Sequence, residues 1–328
     1  MKKKLILKIF IILLSISILN SCTKRNSRKI ILKAADDHEL TYPTTRGLMK
    51  MGELLEEWTY GRIRVQIYPQ AQLGSEKETI EQTQLGAIDI NRVNITPITQ
   101  VVKEMKVLAL PYIFRNEEHE WKVLNGKVGE ELLKKLENYN LVGLGYYDSG
   151  QRSFYDTKRA IRSIADLKDL KIRVQKADIV FDTVEAVGAI PVQMAFEEVY
   201  AGLKTGLIDG AENNEPSYIT KGHYESAKYY TFDEHSRVPE IIIMSKKRWD
   251  KLSVKDRELI MRAAKESIPY QRELWKKEVE MAVAKARASG CVLITKIDKE
   301  PFIKAMEPVY NKYAPDLHEW IKRIRDVK

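Results

Sequence analysis

The chain has 328 residues, 44% of them hydrophobic, with 55 lysines and arginines against 46 aspartates and glutamates, a formal charge of +9. That length allows about two domains, and a charge spread along the chain rather than blocked favours solubility and gives no argument for nucleic acid. With Cys22 and Cys291 as the two cysteines, a disulfide framework and a Cys/His zinc site are both excluded.

The N-terminus, MKKKLILKIFIILLSISILNSC, places lysines before an apolar run that ends in a small residue and a cysteine. This is the pattern of a secretory signal over residues 1–22. The cysteine after the small residue resembles a bacterial lipobox, which implies a lipid on Cys22, an extracytoplasmic location and anchoring to a membrane. The apolar stretch is short for a transmembrane helix. Residues 23–29, with Lys24, Arg25, Arg28 and Lys29, are expected to form a tether that can brush an anionic surface. Cys291 opens the apolar run CVLI and is expected to be a small buried residue.

Residues 30–36 (IILKAAD) predict a strand. From Pro43 to Tyr60 the apolar positions Leu48, Met51, Leu54, Leu55 and Trp58 fall at helical spacing, and Gly61 stops the run. RIRVQIYP alternates Ile63, Val65 and Ile67 as a half-buried strand. Ser75 with Glu78 forms a capping box for a helix ending near Gly86, and AIDINRVN follows as a strand. This β-α-β-α-β order predicts an α/β fold with mainly parallel sheets covered by helices. Further on, helices are expected around 117–124 and 127–138, strands at LVGLGYYD and KIRVQ, a helix ending at Gly188, a strand at IPVQM, a helix from Phe196 to Thr205, and strands at LIDGAEN and EIIIMS. QLGAIDINRVN and KTGLIDGAENN echo each other, which suggests two lobes built on a similar unit. From Val254 to Ser289 the helical pattern runs on through Pro269. At about 1.5 Å per residue it would span roughly 50 Å, long enough to bridge two lobes. A strand, CVLITKI, and two short helices close the chain. The expected division is 30–149 plus 239–278 for one lobe and 150–238 plus 279–328 for the other.

Ligands of open parallel sheets bind beyond the carboxyl ends of the strands. The residues there are Asp36, Asp37 and His38; Gln72 and Glu76; Asn91 and Asn94; Asp148, Gln151 and Arg152; Asn213, Asn214 and Tyr218; and His235 and Arg237. Hydrogen-bonding groups with arginines suit a small polar anion, because a guanidinium meets a carboxylate through two parallel bonds. Arg173, inside KIRVQ, reads equally as a solvated residue on a half-buried strand or as a fixed charge for an anion. No G-x-S-x-G elbow, H-E-x-x-H helix or P-loop is present. The run Glu117-Glu118-His119-Glu120 has poor metal-ligand spacing and reads as an exposed helix start. Asp36, Asp37 and His38 could in principle do acid–base work, so an extracytoplasmic sugar-acid enzyme stands as an alternative.

The stretches QLGSEKETIEQTQLGAIDI, LALPYIFR, SIADLKDLKIRVQ and GAIPVQMAFEEVYAGLKTGLIDGAEN resemble the extracytoplasmic solute-binding subunit of TRAP (tripartite ATP-independent periplasmic) transporters. The likeness runs in order over roughly residues 30–320. It implies a two-lobed binding protein that is not an enzyme, uses no cofactor or metal, acts as a monomer, closes on an organic acid and docks on the transporter's membrane subunits. On this resemblance Arg173 matches the carboxylate-binding arginine, Arg152 a second arginine, Asn213 a ligand-facing amide and Phe196 an aromatic wall. Glu76, Asp37 and Asn94 match positions that touch the ligand's far end. The chain departs from the family's usual Gln-Glu-Asn-Pro with Ala211-Glu212-Asn213-Asn214. The segment from 213 to 240 is similar to a branch associated with hexuronates such as glucuronate or galacturonate, which would bring Asn214, Tyr218, His235 and Arg237 to the site. A C4-dicarboxylate remains the alternative ligand. Taken singly, Tyr218, Tyr224, Tyr229 and Tyr230 each read better as residues that pack on helices.

Overall fold

Alternating apolar residues build the first sheet where they were expected. The structure is a computed structural model that describes residues 29–328; the signal segment, Cys22 and all of the tether but its last residue lie outside the described residues. β1 (Ile30–Ala35) lies between β2 (Ile63–Tyr68) and β3 (Ile90–Asn94), parallel to both. Helix α1 (Pro43–Trp58) starts on a proline and buries Leu48, Met51 and Leu55. Helix α2 (Glu76–Leu85) begins with the expected Ser75–Glu78 capping box and ends at Gly86, whose φ of 84° only glycine adopts without strain. Helices α3 (Glu117–Leu124) and α4 (Lys127–Lys135) lead into the fully buried β4 (Leu141–Tyr147).

The chain then enters a second sheet through β5 (Arg152–Asp156). It continues through β6 (Lys171–Val174), α5 (Asp178–Ala186), β7 (Ile190–Gln193), α6 (Val199–Thr205), β8 (Gly210–Asn213), α7 (Glu215–Thr220) and β9 (Tyr229–Ser236). It returns to the first sheet as β10 (Glu240–Ser245). Helix α8 (Val254–Ala288) is one 35-residue element running through Pro269, and β11 (Val292–Ile294), α9 (Glu300–Ala305) and α10 (Glu307–Asp326) finish the fold. The last helix has 20 residues and is longer than the pattern suggested.

The strand orders are β2-β1-β3-β10-β4 and β11-β9-β5-β8-β6-β7. Both sheets are mixed. β10 is antiparallel to β3 and β4, and β5 is antiparallel to β8 and β9. β5 and β9 were not anticipated, and the reason is chemical. Arg152, Asp156, Asp233, His235 and Ser236 are all buried, so polar residues occupy positions where a strand pattern expects apolar ones.

The chain crosses between the sheets at residues 148–151 and again at 237–239. Helix α8 packs on α1 and β4 of the first half and on α7 of the second. Gly47 makes its contact with α1 possible, since a Cβ there would lie 2.8 Å from the Tyr147 ring and 2.9 Å from Gln271. Helix α10 also touches both halves, packing on α4 and α5. Two short crossings and a shared helix are what a hinge requires, and we propose the lobe boundaries given above on that basis.

Candidate functional site

The site lies between the sheets, where strand ends from both meet. A cavity there is lined on one side by Asp37, His38, Glu76, Arg92, Asn94 and Glu240, and on the other by Arg152, Arg173, Gln175, Phe196, Asn213, Asn214 and Ser217.

Arg173 is 3% exposed, as buried as its apolar neighbours Ile172 and Val174. The solvated-strand alternative therefore fails: both faces of β6 are covered. Its Nε donates to the Met194 carbonyl at 2.9 Å, and its guanidinium carbon lies 5.9 Å from the Phe196 ring centre. Among the described residues no carboxylate pairs with it. Burial lowers its pKa, although Glu212 nearby acts the other way. It is a desolvated cation facing a cavity, and an anion is the missing partner.

Arg152 differs. It is equally buried, but Nε and NH2 grip both Glu212 carboxylate oxygens, NH2 also reaches the Glu212 carbonyl, and NH1 donates to Asn213 Oδ1 at 2.9 Å. Its charge is already matched by Glu212, although it lines the cavity as expected. What it does is orient Asn213. The Asn213 oxygen accepts from Arg152 and from the Asn214 backbone, which leaves the amide NH2 to face the cavity.

The opposite wall is acidic. Arg92, which the sequence argument passed over, is 1% exposed. It pairs with Asp36, Asp37 and Glu240 at once. One guanidinium does not neutralise three carboxylates with Glu76 beside them. Accordingly, burial raises the pKa of Asp36 and of Glu240 despite Arg92. Burial, with Asp37 and Glu240 close by, pushes Glu76 well above the usual carboxylate range. Asp37 goes the other way: burial opposes its charge, but Arg92 holds it down at about 2. The wall thus presents carboxyl oxygens as acceptors, with Glu76 holding a proton more tightly than an ordinary carboxyl group.

Asn94 and Asn214 line the cavity but spend their side chains on the protein. Asn94 caps the turn after β3 and donates to Glu240 at 3.1 Å, while its backbone N–H holds Glu76 at 2.7 Å. Asn214 caps α7, accepts from Tyr42 and donates to the Ser149 carbonyl. His38 stacks on Tyr42 with ring centres 3.6 Å apart and edges onto Phe196 at 5.1 Å. Burial lowers its pKa well below the ordinary value, so it is a neutral wall.

Three expected residues lie elsewhere. Tyr218 is in an aromatic core with Tyr155 and Tyr230, and its hydroxyl donates to the Ala227 carbonyl at 2.6 Å. Arg237 donates to Glu120 at 2.8 Å and lines a separate cleft beside Trp275. His235 sits behind the site, with Nδ1 2.7 Å from Asp233 and Nε2 3.5 Å from Glu212. The Glu117–Glu120 helix start is also not wholly exposed: His119 and Glu120 are buried. His119 bonds the Ile324 carbonyl at 2.9 Å, and burial raises Glu120 to about 7 even though Arg237 pairs with it. Among the described residues no cluster of metal-binding side chains occurs. Cys291 is half-buried, its sulfur 3.3 Å from the Tyr218 hydroxyl.

His235 yields a stability prediction. Burial opposes its charge, but Asp233 and Glu212 outweigh burial and raise its pKa to about 9. A histidine with a raised folded-state pKa stabilises fully below the unfolded value of about 6.5 and loses that contribution as pH rises through the folded value. Urea unfolding of the wild type should show stability falling between about pH 6.5 and about pH 9, by on the order of 3 kcal/mol from this group. His235→Gln should remove that decline, and an unchanged slope in the variant would contradict the assignment.

Comparison with known proteins agrees with this architecture. Residues 35–316 match the family model DctP, bacterial extracellular solute-binding protein, family 7. The chain is 45% identical to a TRAP periplasmic solute binding protein from Bradyrhizobium sp. BTAi1 solved in complex with α/β-D-galacturonate, with a TM-score of 0.88 over 90% of this chain and 99% of that one. A TRAP periplasmic solute binding protein from Pseudomonas putida F1 with bound D-glucuronate is 38% identical, with a TM-score of 0.89 over 91% and 98%. The C4-dicarboxylate-binding periplasmic protein DctP of Rhodobacter capsulatus is 32% identical over 83% of each chain. The two mixed sheets, the crossings between them and the long shared helix are those of this group, and the chain belongs to the DctP family of bacterial extracellular solute-binding proteins.

Proposed function

We propose that the protein is the solute-binding subunit of a TRAP transporter and captures a hexuronate, glucuronate or galacturonate, by closing its two lobes around it. One observation carries this reading: Arg173, a buried guanidinium with no carboxylate partner among the described residues, faces across a cavity between the sheets to a wall of carboxyl groups. The ligand carboxylate pairs with Arg173 through two parallel bonds. Its hydroxyls donate to Asp37 and Glu240, while the Asn213 amide donates to its oxygens. Phe196 covers one side of the ring. The galacturonate and glucuronate named for the two similar structures support the ligand class.

A C4-dicarboxylate fits this cavity less well. With one end on Arg173, its second carboxylate would meet Asp37 and Glu240, which already share one arginine. Like charges at such a site are costly. The binding reading requires no turnover, and the bound acid is expected to be recovered intact. Docking of the closed form on membrane subunits is part of the proposal. So is a lipid on Cys22, which rests on the N-terminal sequence and is checked by the mass of the mature protein's first peptide.

A thermal-shift screen against uronates, aldonates and C4-dicarboxylates tests the ligand. A true ligand at 100 times its dissociation constant adds about 2.7 kcal/mol of stability. Glucuronate or galacturonate should raise Tm by several degrees. If only succinate or malate did so, the hexuronate assignment would fall and the solute-binding role would stand.

A further inference from the structure

Gln175 follows Arg173 by two residues in the extended segment that ends β6, so the two side chains leave on the same side. It is 6% exposed, and its amide oxygen accepts no hydrogen bond from any described residue. It lies at a neck. Glu76, Arg173, Gln175 and Phe196 line both the ligand cavity and a second pocket next to it. A buried carbonyl oxygen without a donor is unfavourable, and here it borders the space the ligand fills.

We propose that Gln175 determines specificity by accepting a hydrogen bond from the ligand hydroxyl nearest the carboxylate. This rests on the hexuronate reading above. In a uronate pyranose that hydroxyl is on C4, the position at which glucuronate and galacturonate differ. Arg173 and Gln175 line the same cavity, so a pyranose whose carboxylate pairs with Arg173 has its C4 hydroxyl within the space that Gln175 borders. An acid lacking the hydroxyl leaves the amide oxygen unpaired, and sites built to hydrogen-bond a hydroxyl reject analogues without it. A plain dicarboxylate has no such group, so Gln175 and the acidic wall discriminate in the same direction.

The test is calorimetry with the full protein, using the preferred hexuronate and its 4-deoxy analogue against wild type, Gln175→Leu, Gln175→Ala and Arg173→Ala, each checked by its ligand-free Tm. Wild type should favour the hydroxylated acid by roughly tenfold. Both Gln175 variants should narrow that ratio to about twofold or less, with Arg173→Ala weakening both acids. A ratio that survives in the Gln175 variants, while Arg173 still matters, overturns this proposal alone. A wild type that binds neither acid, or that binds them without regard to Arg173, overturns the hexuronate reading as well.

Discussion

Arg173→Ala is expected to weaken binding of the cognate acid by about 2–5 kcal/mol, the range for truncating one member of a buried, hydrogen-bonded charge pair. At about 1.4 kcal/mol per tenfold, a micromolar ligand would fall to a dissociation constant of tens of micromolar or weaker. Two features set the size. Arg173 is itself almost fully shielded from solvent, at 3% exposed. Arg152, the other cation nearby, is occupied by Glu212 and does not substitute. Arg173→Lys should also weaken binding, because an ammonium cannot supply the two parallel donors. The ligand-free protein should respond oppositely. Arg173 is a desolvated charge held in place by one bond to a carbonyl, so its removal should leave Tm unchanged or higher. Calorimetry and melting of the same preparations test both halves. Full affinity in the alanine variant would remove Arg173 from the site, and a large loss of Tm would make it a structural residue instead.

Arg92→Met should unfold the protein more readily, by about 3–5 kcal/mol at neutral pH, with a drop in Tm to match. Removing one partner of a buried ion cluster leaves the other charges uncompensated, which is far worse than replacing the whole cluster. Here three carboxylates, Asp36, Asp37 and Glu240, lose their shared cation. The sign of the pH dependence follows. In the wild type Asp37 is held at about 2, below its unfolded value of about 3.9. Its contribution is therefore complete above about pH 4 and fades as the solution becomes more acid. In the variant, burial and mutual repulsion raise the acids above their unfolded values. The native state then holds extra protons, and stability declines as pH rises. The gap between variant and wild type should shrink towards about pH 5 and widen towards about pH 8. Urea unfolding across that range decides it, and a gap that does not change with pH would show that lost packing, not charge, is what Arg92 contributes.

Much of the architecture could be read along the chain. Apolar alternation at Ile63, Val65 and Ile67, helical spacing from Leu48 to Trp58, and the Ser75–Glu78 box each describe a segment whose local chemistry agrees with its final environment. β5 and β9 escaped notice because their buried positions carry arginine, aspartate, histidine and serine, residues that alternation assigns to water. Arg92 was missed for the same reason. It alternates with Asn91 and Val93 in β3, every residue of which is buried, and the partners that make it tolerable come from β10 and from the end of β1. A basic residue in an otherwise buried-looking strand was the available signal; it was followed at Arg173 and not at Arg92.

By itself the sequence determined the α/β class, the order and rough bounds of most elements and the long helix through Pro269, and it singled out Arg173 as a charge worth placing. Those properties depend on neighbours three or four residues away, or on one side chain's chemistry. The tertiary structure decided which arginine has no carboxylate partner and which is taken. Arg152 and Arg173 are both buried cations at strand ends, and nothing local tells them apart. Glu212 lies 60 residues beyond Arg152, and only the pairing of β5 with β8 brings them together. It also moved Tyr218, His235 and Arg237 out of the cavity and brought Arg92, Glu240 and Gln175 into its wall. Whether a charge is available to a ligand depends on every other charge within a few ångströms, and those distances are set by folding rather than by position along the chain.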